Sequence, residues 1–260
     1  MIYHAGLDIG STTTKCIIIS ENGSIASKEI TNTTALPKES TEYVLQKCLK
    51  QINLKKSNLT SIIATGYGRR GIESTKHNIT EIAAVGRGSF ILNNCKSAII
   101  IDIGGQDTKI IDTNSNGNVT DFLMNDKCAA GTGRFIEIMA RIIDQNIDNL
   151  SSLAEKSSKK IILNSTCSVF AESEIISLIA KSTAKKDIAA SLFYSISQKI
   201  TNMLNAFNYK NREILFCGGG ANFGYLKYCL EKSLNKKITT LANPQFVAAF
   251  GAASYKKLTK

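Results

Sequence analysis

The sequence predicts an α/β fold that is built from two related halves. The segment DIGSTTTK, which begins at Asp8, is nearly repeated as DIGGQDTK, which begins at Asp102, and five of the eight aligned positions are identical. Both segments are flanked by short runs rich in β-branched residues, which are typical of strands. Other segments carry apolar residues at helical spacing. An α/β architecture with a duplicated strand–turn–strand unit accounts for these three observations.

The composition is that of a soluble globular protein. Hydrophobic residues make up 43% of the 260 residues and charged residues 20%, a balance typical of folded domains. No apolar run reaches the ~18 residues that a membrane-spanning helix needs, and the opening stretch MIYHAGLDIG lacks the basic and apolar regions of a signal peptide. We therefore expect a cytoplasmic protein without a membrane partner. Its seven cysteines, an odd number, are expected to be free thiols or metal ligands rather than a disulfide framework.

The formal net charge of +11 raises the question of an anionic partner. The chain has no Trp, and its basic stretches are not interleaved with aromatic residues, as they are in single-strand binding grooves. We therefore expect lysines scattered over solvated surfaces and no nucleic-acid partner. The alternative, binding of nucleic acid, predicts a DNA affinity that falls steeply with salt.

Each copy of the repeated segment is predicted to form a meander of three strands. In the first copy, AGLDI and KCIIIS flank the turn GSTT, and SIASKEI follows after ENG. In the second copy, SAIIIDI and KIIDT flank the turn GGQDT, and NVTDFLM follows after NSNG. Polar, glycine-containing segments between β-branched runs are typical of hairpin turns.

The first turn of each meander has the chemistry of a phosphate-binding loop. Glycine allows backbone N–H groups to approach phosphate oxygens closely, hydroxyls add donors, and an aspartate beside the turn is suited to hold Mg²⁺ through water. Two such turns that face each other across a cleft would clamp a triphosphate from both sides. The predicted phosphate ligands are Gly10, Ser11, Thr12, Thr13 and Lys15 in the first turn and Gly104, Gly105 and Gln106 in the second, with Asp8 and Asp102 as the aspartates.

Two other phosphate-binding patterns are absent. The sequence contains no G-x-x-x-x-G-K-[ST], which excludes a P-loop. No G-x-G-x-x-G opens a helix after the first strand, which argues against a dinucleotide-binding domain.

A third glycine-rich turn lies late in the chain. The segment REILFCGGGANFGYLKYCLEKSL predicts a strand over 213–217 and a helix from about residue 222. The turn between them permits close contact with a flat ligand such as adenine and its ribose. The residues predicted to line the nucleoside are Gly218, Gly219 and Gly220.

Two cysteines each precede an amphipathic helix. Cys128 lies in NDKCAAGTGRFIEIMARII and Cys167 in NSTCSVFAESEIISLIAK, and apolar residues follow both at helical spacing. Asn125 and Asp126 are expected to cap the first helix, whose positive end favours a thiolate. An iron–sulfur cluster needs four thiolates, which two chains of a symmetric dimer supply together. Zinc held by the same four thiolates fits the spacing equally well.

Three of these motifs resemble those of a large ATPase superfamily. DIGSTTTK, DIGGQDTK and GGGAN are similar to the phosphate-1, phosphate-2 and adenosine motifs of actin, the sugar kinases and the Hsp70 ATPases. The resemblance implies an actin-like fold of two RNase H-like subdomains, with mixed sheets and ATP in a cleft between them. We predict the first subdomain over 1–95 and the second over 96–260, with a C-terminal helix over 244–256 that packs back on the first.

The cysteine segments narrow the resemblance. NDKCAAGTGRF, CSVFAESEIIS, DIGGQD and TGYGR resemble the activator components of 2-hydroxyacyl-CoA dehydratases, which belong to the BadF/BadG/BcrA/BcrD-type ATPases. The resemblance implies an anaerobic homodimer with one [4Fe-4S] cluster between its subunits, held by Cys128 and Cys167. It implies ATP-dependent transfer of one electron from ferredoxin or flavodoxin to a dehydratase or reductase component that carries its own iron–sulfur cluster.

The resemblance also implies roles for individual residues. Gln106 or Asp107 would position the water that attacks the phosphate. The N–H groups of Gly131, Thr132 and Gly133, at the start of the helix after Cys128, are expected to face cluster sulfurs.

Two alternatives remain open from the residues. A small-molecule kinase of the same superfamily would share the ATP-binding turns but need an acceptor site. A structural protein, either a zinc-bridged dimer or an actin-like filament, would contain no iron.

Overall fold

The computed structural model describes residues 2–71, 77–159, 161–163 and 168–255. Within these residues, ten β-strands form two five-stranded sheets, and eight α-helices accompany them. This arrangement confirms the predicted α/β fold class. None of the described helices combines the length and the apolar character that a bilayer crossing requires.

The first sheet carries the first copy of the repeat. Its strands lie in the order β3-β2-β1-β4-β5. Strand β1 is antiparallel to β2 and parallel to β4, and β2 is antiparallel to β3, so the predicted three-stranded meander is confirmed. The bounds are β1 Tyr3–Ile9, β2 Thr13–Ser20, β3 Ile25–Asn32, β4 Leu59–Thr65 and β5 His77–Asn78.

The second sheet carries the second copy. Its strands lie in the order β10-β9-β6-β7-β8, and β6 is parallel to β9. The predicted strand at 213–217 is observed at 214–218, and a short 3₁₀ helix follows it at Gly219–Asn222. The bounds are β6 Ile99–Ile103, β7 Thr108–Thr113, β8 Val119–Asn125, β9 Ile214–Gly218 and β10 Thr239–Thr240.

The helices follow the strands in the manner of an α/β protein. Predicted helices after Cys128 and after the glycine turn at 218–220 are both observed. The bounds are α1 Pro37–Gln51, α2 Glu81–Leu92, α3 Gly133–Ile142, α4 Leu150–Ala154, α5 Ser168–Ala180, α6 Lys185–Leu204, α7 Gly224–Leu234 and α8 Val247–Ala253.

The chain divides into two compact units. The first comprises Met1–Ala98, Ile111–Phe122 and Leu241–Lys260, and the second Ile99–Ile110 and Leu123–Thr240. These units are defined by spatial compactness rather than by the sequence repeat. The subdomain bounds of 1–95 and 96–260 therefore stay a prediction.

The core of the first unit covers both faces of its sheet. Alternating residues of β1, such as Leu7 and Ile9, pack with Val44 and Cys48 of α1. The opposite face of β2 presents Ile17 and Ile19 to α8. Because strand side chains alternate between faces, a fully buried apolar run such as that over 16–19 requires a helix on each side.

The core of the second unit is built on β6. Its alternate isoleucines, Ile99, Ile101 and Ile103, pack in one cluster with α3, α5, α6 and α7. The aromatic rings of Phe193 and Phe223 lie 5.5 Å apart in the same unit. This packing fixes the end of β6, where the second predicted phosphate turn begins.

Helices α2 and α8 approach each other through glycine. A Cβ atom added at Gly251 would lie 1.8 Å from the carbonyl oxygen of Ala84, and one at Gly88 would lie 2.2 Å from that of Val247. No side chain fits at such distances, so both positions require glycine for the helices to pack.

We therefore expect Gly251→Ala to lower the free energy of unfolding by about 1–3 kcal/mol, the usual cost of overpacking. The matched control is Gly71→Ala, because a Cβ atom at Gly71 would meet nothing within 4 Å. The control should stay within about 0.5 kcal/mol of the parent protein. Urea unfolding followed by circular dichroism measures both, and equal midpoints for the two variants would contradict the packing argument.

Candidate functional site

The two predicted phosphate turns have the same backbone geometry. In the first, the N–H of Gly10 donates to the carbonyl of Thr13 at 3.1 Å, and in the second, the N–H of Gly104 donates to the carbonyl of Asp107 at 2.9 Å. Each bond closes the turn at the same place in the repeated motif. The sequence repeat is therefore also a structural repeat.

Each turn is preceded by a buried aspartate that is paired with a lysine of the next strand. Lys15 Nζ lies 2.9 Å from Asp8 Oδ2. In the second copy, Lys109 Nζ lies 2.7 Å from Asp107 Oδ1 and 3.5 Å from Asp102 Oδ2. The Lys109 side chain is only 1% exposed, and burying such a charge requires these opposite charges around it. Lys15, predicted as a phosphate ligand, thus also neutralises Asp8.

A glycine at the end of the neighbouring parallel strand lies against each aspartate. Gly66 follows β4 with φ +86°, and a Cβ atom there would lie 2.8 Å from Asp8 Oδ1. Gly218 ends β9 with φ +79°, and a Cβ atom there would lie 2.5 Å from Asp102 Oδ1. Positive φ and the crowded carboxylate both exclude a side chain at these positions. Glycine thus allows the backbone of the neighbouring strand to lie directly against each carboxylate.

A second glycine follows two residues later in both copies. A Cβ atom at Gly68 would lie 2.3 Å from Ile9 Cγ2, and one at Gly220 would lie 2.6 Å from Ile103 Cβ. The adenosine motif GGGAN therefore has a structural counterpart in TGYGR of the first copy. Sequence reasoning quoted TGYGR as a family motif but missed this equivalence. The shared G-x-G spacing after a strand was the available signal.

The two aspartates differ in how their oxygens are satisfied. Asp102 Oδ1 accepts a hydrogen bond from the thiol of Cys217 at 3.7 Å. Asp8 Oδ1 and the hydroxyl of Thr65, the residue paired with Asp8 on β4, are buried and have no hydrogen-bond partner among the described residues. Such groups need a partner. Carboxylate and hydroxyl oxygens are ligands that suit Mg²⁺ and its waters, so the first copy fits the predicted metal.

The remaining predicted phosphate ligands lie at the surface of the turns. Ser11 and Gln106 are exposed, and the others are partly exposed. The residue after β3 braces the first turn, because Thr33 donates its N–H to the carbonyl of Thr12 at 2.9 Å and its hydroxyl to that of Gly10 at 2.8 Å. The carboxylate of Asp107, which was predicted as an alternative to Gln106 for positioning the attacking water, is buried against Lys109. The partly exposed ligands are Gly10, Thr12, Thr13, Lys15, Gly104 and Gly105.

Cys128 is a half-buried free thiol before α3. Asn125, which was expected to cap α3, instead donates its side-chain amide to the carbonyls of Cys128 and Ala130. The N-cap residue is Thr132, and it makes no side-chain cap bond. The capping prediction for Asn125 is therefore wrong, because this amide braces the cysteine loop.

The N–H groups at the start of α3 are bonded to the second phosphate turn. Gly133 donates to the carbonyl of Gly104 at 2.9 Å, and Arg134 donates to that of Gly105 at 2.7 Å. Thr132 donates to the carbonyl of Ala129 at 3.0 Å. The expectation that the Thr132 and Gly133 N–H groups face cluster sulfurs is thus wrong, since carbonyl oxygens already occupy them.

The other cysteines occupy varied surroundings. Cys167 lies outside the described residues. Cys16, Cys48 and Cys217 are buried, and burial raises the pKa of the Cys229 thiol to about 12. Cys95 is exposed. Within the described ranges, no group of three or more His, Cys, Asp or Glu side chains gathers to hold a metal ion.

The fold is that of the actin-like ATPases. A ROK-family glucokinase from Streptomyces griseus superposes with a TM-score of 0.58 at 13% identity, over 97% of this chain and 98% of the enzyme. At this identity the likeness shows the fold alone.

The chain belongs to the BadF/BadG/BcrA/BcrD ATPase family, whose model matches residues 5–255. It is 38% identical to the (R)-2-hydroxyglutaryl-CoA dehydratase activating ATPase of Acidaminococcus fermentans, over 100% of this chain and 99% of that protein. The crystal structure of component A of that dehydratase superposes with a TM-score of 0.94, covering both chains completely. The structure of the Clostridium difficile activator of 2-hydroxyisocaproyl-CoA dehydratase, solved with bound ADPNP, superposes with a TM-score of 0.91. It is 33% identical over 97% of this chain and 93% of that chain.

The lysine–aspartate pairs generate a stability prediction. Lys109→Met leaves Asp102 and Asp107 buried without their cation, so we expect it to lower the free energy of unfolding by about 3–5 kcal/mol. The equivalent Lys15→Met removes a partly exposed partner of a single carboxylate and should cost clearly less. Urea unfolding of both variants measures the difference. A cost for Lys15→Met equal to or above that for Lys109→Met would contradict this account.

The unpartnered Asp8 oxygen generates a metal prediction. Asp8→Asn keeps the side-chain shape but removes the negative charge, so we expect the Mg²⁺ concentration for half-maximal ATP hydrolysis to rise about tenfold or more. The control is Glu21→Gln, an exposed carboxylate in the turn between β2 and β3, which should leave the Mg²⁺ dependence unchanged. Unaltered Mg²⁺ dependence in Asp8→Asn would remove Asp8 from the metal site.

Proposed function

We propose that this protein is the activator of a 2-hydroxyacyl-CoA dehydratase or a related reductase. In this proposal it binds and hydrolyses ATP and transfers one electron through a [4Fe-4S] cluster that is shared by two identical subunits. Ferredoxin or flavodoxin supplies the electron, and the dehydratase or reductase component receives it on its own cluster. The cytoplasm predicted from the sequence is the compartment of this activity.

The ATPase part rests on the duplicated turns. The N–H groups of Gly10 and Gly104 close the turns, so the backbone N–H groups at Ser11–Thr12 and Gly105–Gln106 bind phosphate oxygens. The unpartnered oxygen of Asp8 organises Mg²⁺ and its waters. Lys109 holds the carboxylate of Asp107 in place, so Asp107 shapes the turn. The exposed Gln106 then positions the attacking water, the role that such a side chain plays in other phosphoryl-transfer sites.

The electron-transfer part rests on the cysteines. Cys128 is a free thiol in a loop braced by Asn125, and the sequence places Cys167 directly before α5. An iron–sulfur cluster is held by four thiolates, and one chain offers these two at helix starts. Two chains related by a two-fold axis supply all four. When bound, the cluster stores and releases a single electron.

The outer face of α5 supports a dimer next to Cys167. The inner face packs Ala171 and Ile175 into the core of the second unit. The opposite face leaves Val169 66% exposed, Phe170 68% and Ile176 53%. Contiguous exposed apolar side chains of this kind mark interaction surfaces. In the proposed dimer, a second copy covers this face of α5.

The acceptor is proposed from the relatives. The proteins from A. fermentans and C. difficile carry names that link them to dehydratases of 2-hydroxyacyl-CoA esters. A relative from Anaerotignum propionicum, 32% identical over 98% of this chain and 97% of that protein, is an activator of lactoyl-CoA dehydratase. All three relatives are named as activators of an acyl-CoA dehydratase. We therefore propose a dehydratase of this class as the protein that accepts the electron.

Metal analysis of anaerobically purified protein tests the proposal. A cubane shared by two chains predicts about two irons and two sulfides per chain, and we expect Cys128→Ser or Cys167→Ser to abolish both. The control is Cys95→Ser, which removes an exposed cysteine and should keep the iron. Iron-free protein that still binds ATP would contradict the electron-transfer proposal and favour the small-molecule kinase. Zinc in place of iron would favour the structural dimer.

A further inference from the structure

The second phosphate hairpin is joined to the cysteine loop by three hydrogen bonds. Two are the backbone bonds from Gly133 and Arg134 to the carbonyls of Gly104 and Gly105. The third runs from the hydroxyl of Thr108, on β7, to the carbonyl of Gly131 at 2.7 Å. Together they connect the turn at 104–106 with the segment between Cys128 and the first turn of α3.

The Thr108 bond is fully sheltered from water. Thr108 is 1% exposed, and its bond to Gly131 is buried. A hydroxyl in this position cannot contact a phosphate in solvent, because its donor is already engaged with a buried carbonyl. Thr108 therefore acts on the cysteine loop and not directly on a ligand.

The first hairpin has the same threonine with a different contact. Thr14 occupies the position of Thr108 in the repeated motif. Its hydroxyl lies 2.9 Å from that of Thr33 and 3.1 Å from that of Ser40. These contacts stay within the first unit, with the residue after β3 and with α1. The repeated threonine has thus been connected to the cysteine loop in the second copy alone.

The peptide planes of the turn provide the mechanical link. The peptide between Gly104 and Gly105 carries the carbonyl that accepts from Gly133 and also the N–H of Gly105. The next peptide carries the carbonyl that accepts from Arg134 and the N–H of Gln106. Because a trans peptide is rigid and its N–H and C=O point in opposite directions, a phosphate that attracts the N–H groups acts on the carbonyls that cap α3.

We propose that Thr108 is a positioning residue that couples nucleotide binding at the second turn to the Cys128 loop. Phosphate orients the two turn peptides, their carbonyls orient the start of α3, and the Thr108–Gly131 bond makes the loop before α3 follow. The inference rests on the proposed function only in requiring that the second turn binds nucleotide. It adds a structural path by which nucleotide binding at the second turn changes the position of the loop that carries Cys128.

Hydrogen exchange of the full-length, cluster-free protein tests the coupling. ADP or a non-hydrolysable ATP analogue with Mg²⁺ is added at saturation, and exchange in the peptide 129–136 is followed by mass spectrometry. In the parent protein we expect nucleotide to change this exchange rate by about threefold or more, since these amides open locally. In Thr108→Val the nucleotide affinity should stay within about threefold, while the response of 129–136 is partly lost, because only the backbone bonds of Gly133 and Arg134 to the turn remain. Thr108→Ser keeps the hydroxyl and should restore it.

Two control variants, Thr14→Val and Gly224→Ala, and a second disrupting variant, Gly133→Ala, separate the loss of coupling from a general loss of stability. Thr14→Val removes the equivalent hydroxyl of the first hairpin and should leave the response of 129–136 intact. Gly133→Ala strains the same junction without burying an unpaired group, because its Cβ atom would lie 3.1 Å from the carbonyl oxygen of Gly104. Gly224→Ala changes the equivalent first residue of α7, where the nearest atom would be 3.9 Å away. Gly133→Ala should weaken the response and Gly224→Ala should not, which keeps the test valid if Thr108→Val fails to fold.

The outcomes distinguish this inference from the proposed function. A full response in Thr108→Val, or no response in a parent protein that binds nucleotide, would overturn the coupling and leave the iron measurement unaffected. Absence of nucleotide binding to the parent protein would overturn the ATPase proposal and the coupling with it. Loss of the response in both Thr108→Val and Thr14→Val would show that destabilisation, not the Gly131 bond, is responsible.

Discussion

The buried carboxylate at the end of each central strand is the constraint on which the rest of this structure depends. An ionised carboxylate is costly to bury unless opposite charge or hydrogen bonds surround it. The return strand of each hairpin therefore carries a lysine, Lys15 or Lys109, that reaches back to the aspartate. The parallel neighbour must end in a glycine, Gly66 or Gly218, since any side chain would collide with the carboxylate. One electrostatic requirement thus fixes a strand end, a hairpin length and the neighbouring strand's last residue.

The parts of this arrangement that are local in sequence could be predicted, and the parts made by distant backbone could not. Strand–turn–strand patterns around Asp8 and Asp102 predicted both meanders, because turn chemistry and β-branched runs act over a few residues. The role of Gly66 escaped prediction because it depends on β4 pairing with β1 across an intervening helix. The capping of α3 could not be predicted because backbone carbonyls accept its first N–H groups. Every residue has such a carbonyl, so the sequence does not indicate which ones serve as caps. Cys128 could be selected as a candidate ligand because a thiol is a distinctive side chain.

The two copies differ in the hydrogen-bond partners of the aspartate Oδ1 atoms. In the second copy Cys217 donates to Asp102, whereas in the first the paired position holds Thr65, and both its hydroxyl and Asp8 Oδ1 lack described partners. One carboxylate is thus satisfied within the protein and the other is left to an external group. The two copies of the duplicated motif therefore differ in the surroundings of an otherwise equivalent carboxylate.

The membership of α8 in the first unit sets the order in which the chain completes its fold during synthesis. Strands β1 and β2 leave the ribosome early, yet the face that carries Ile17 and Ile19 is covered by Phe250 and Ala253. The second unit lies almost entirely between these parts of the chain, so its segments are available first. The N-terminal sheet therefore emerges with one apolar face bare. A nascent chain that stalls before residue 247 therefore keeps this apolar face exposed, and exposed apolar surface of this kind promotes aggregation.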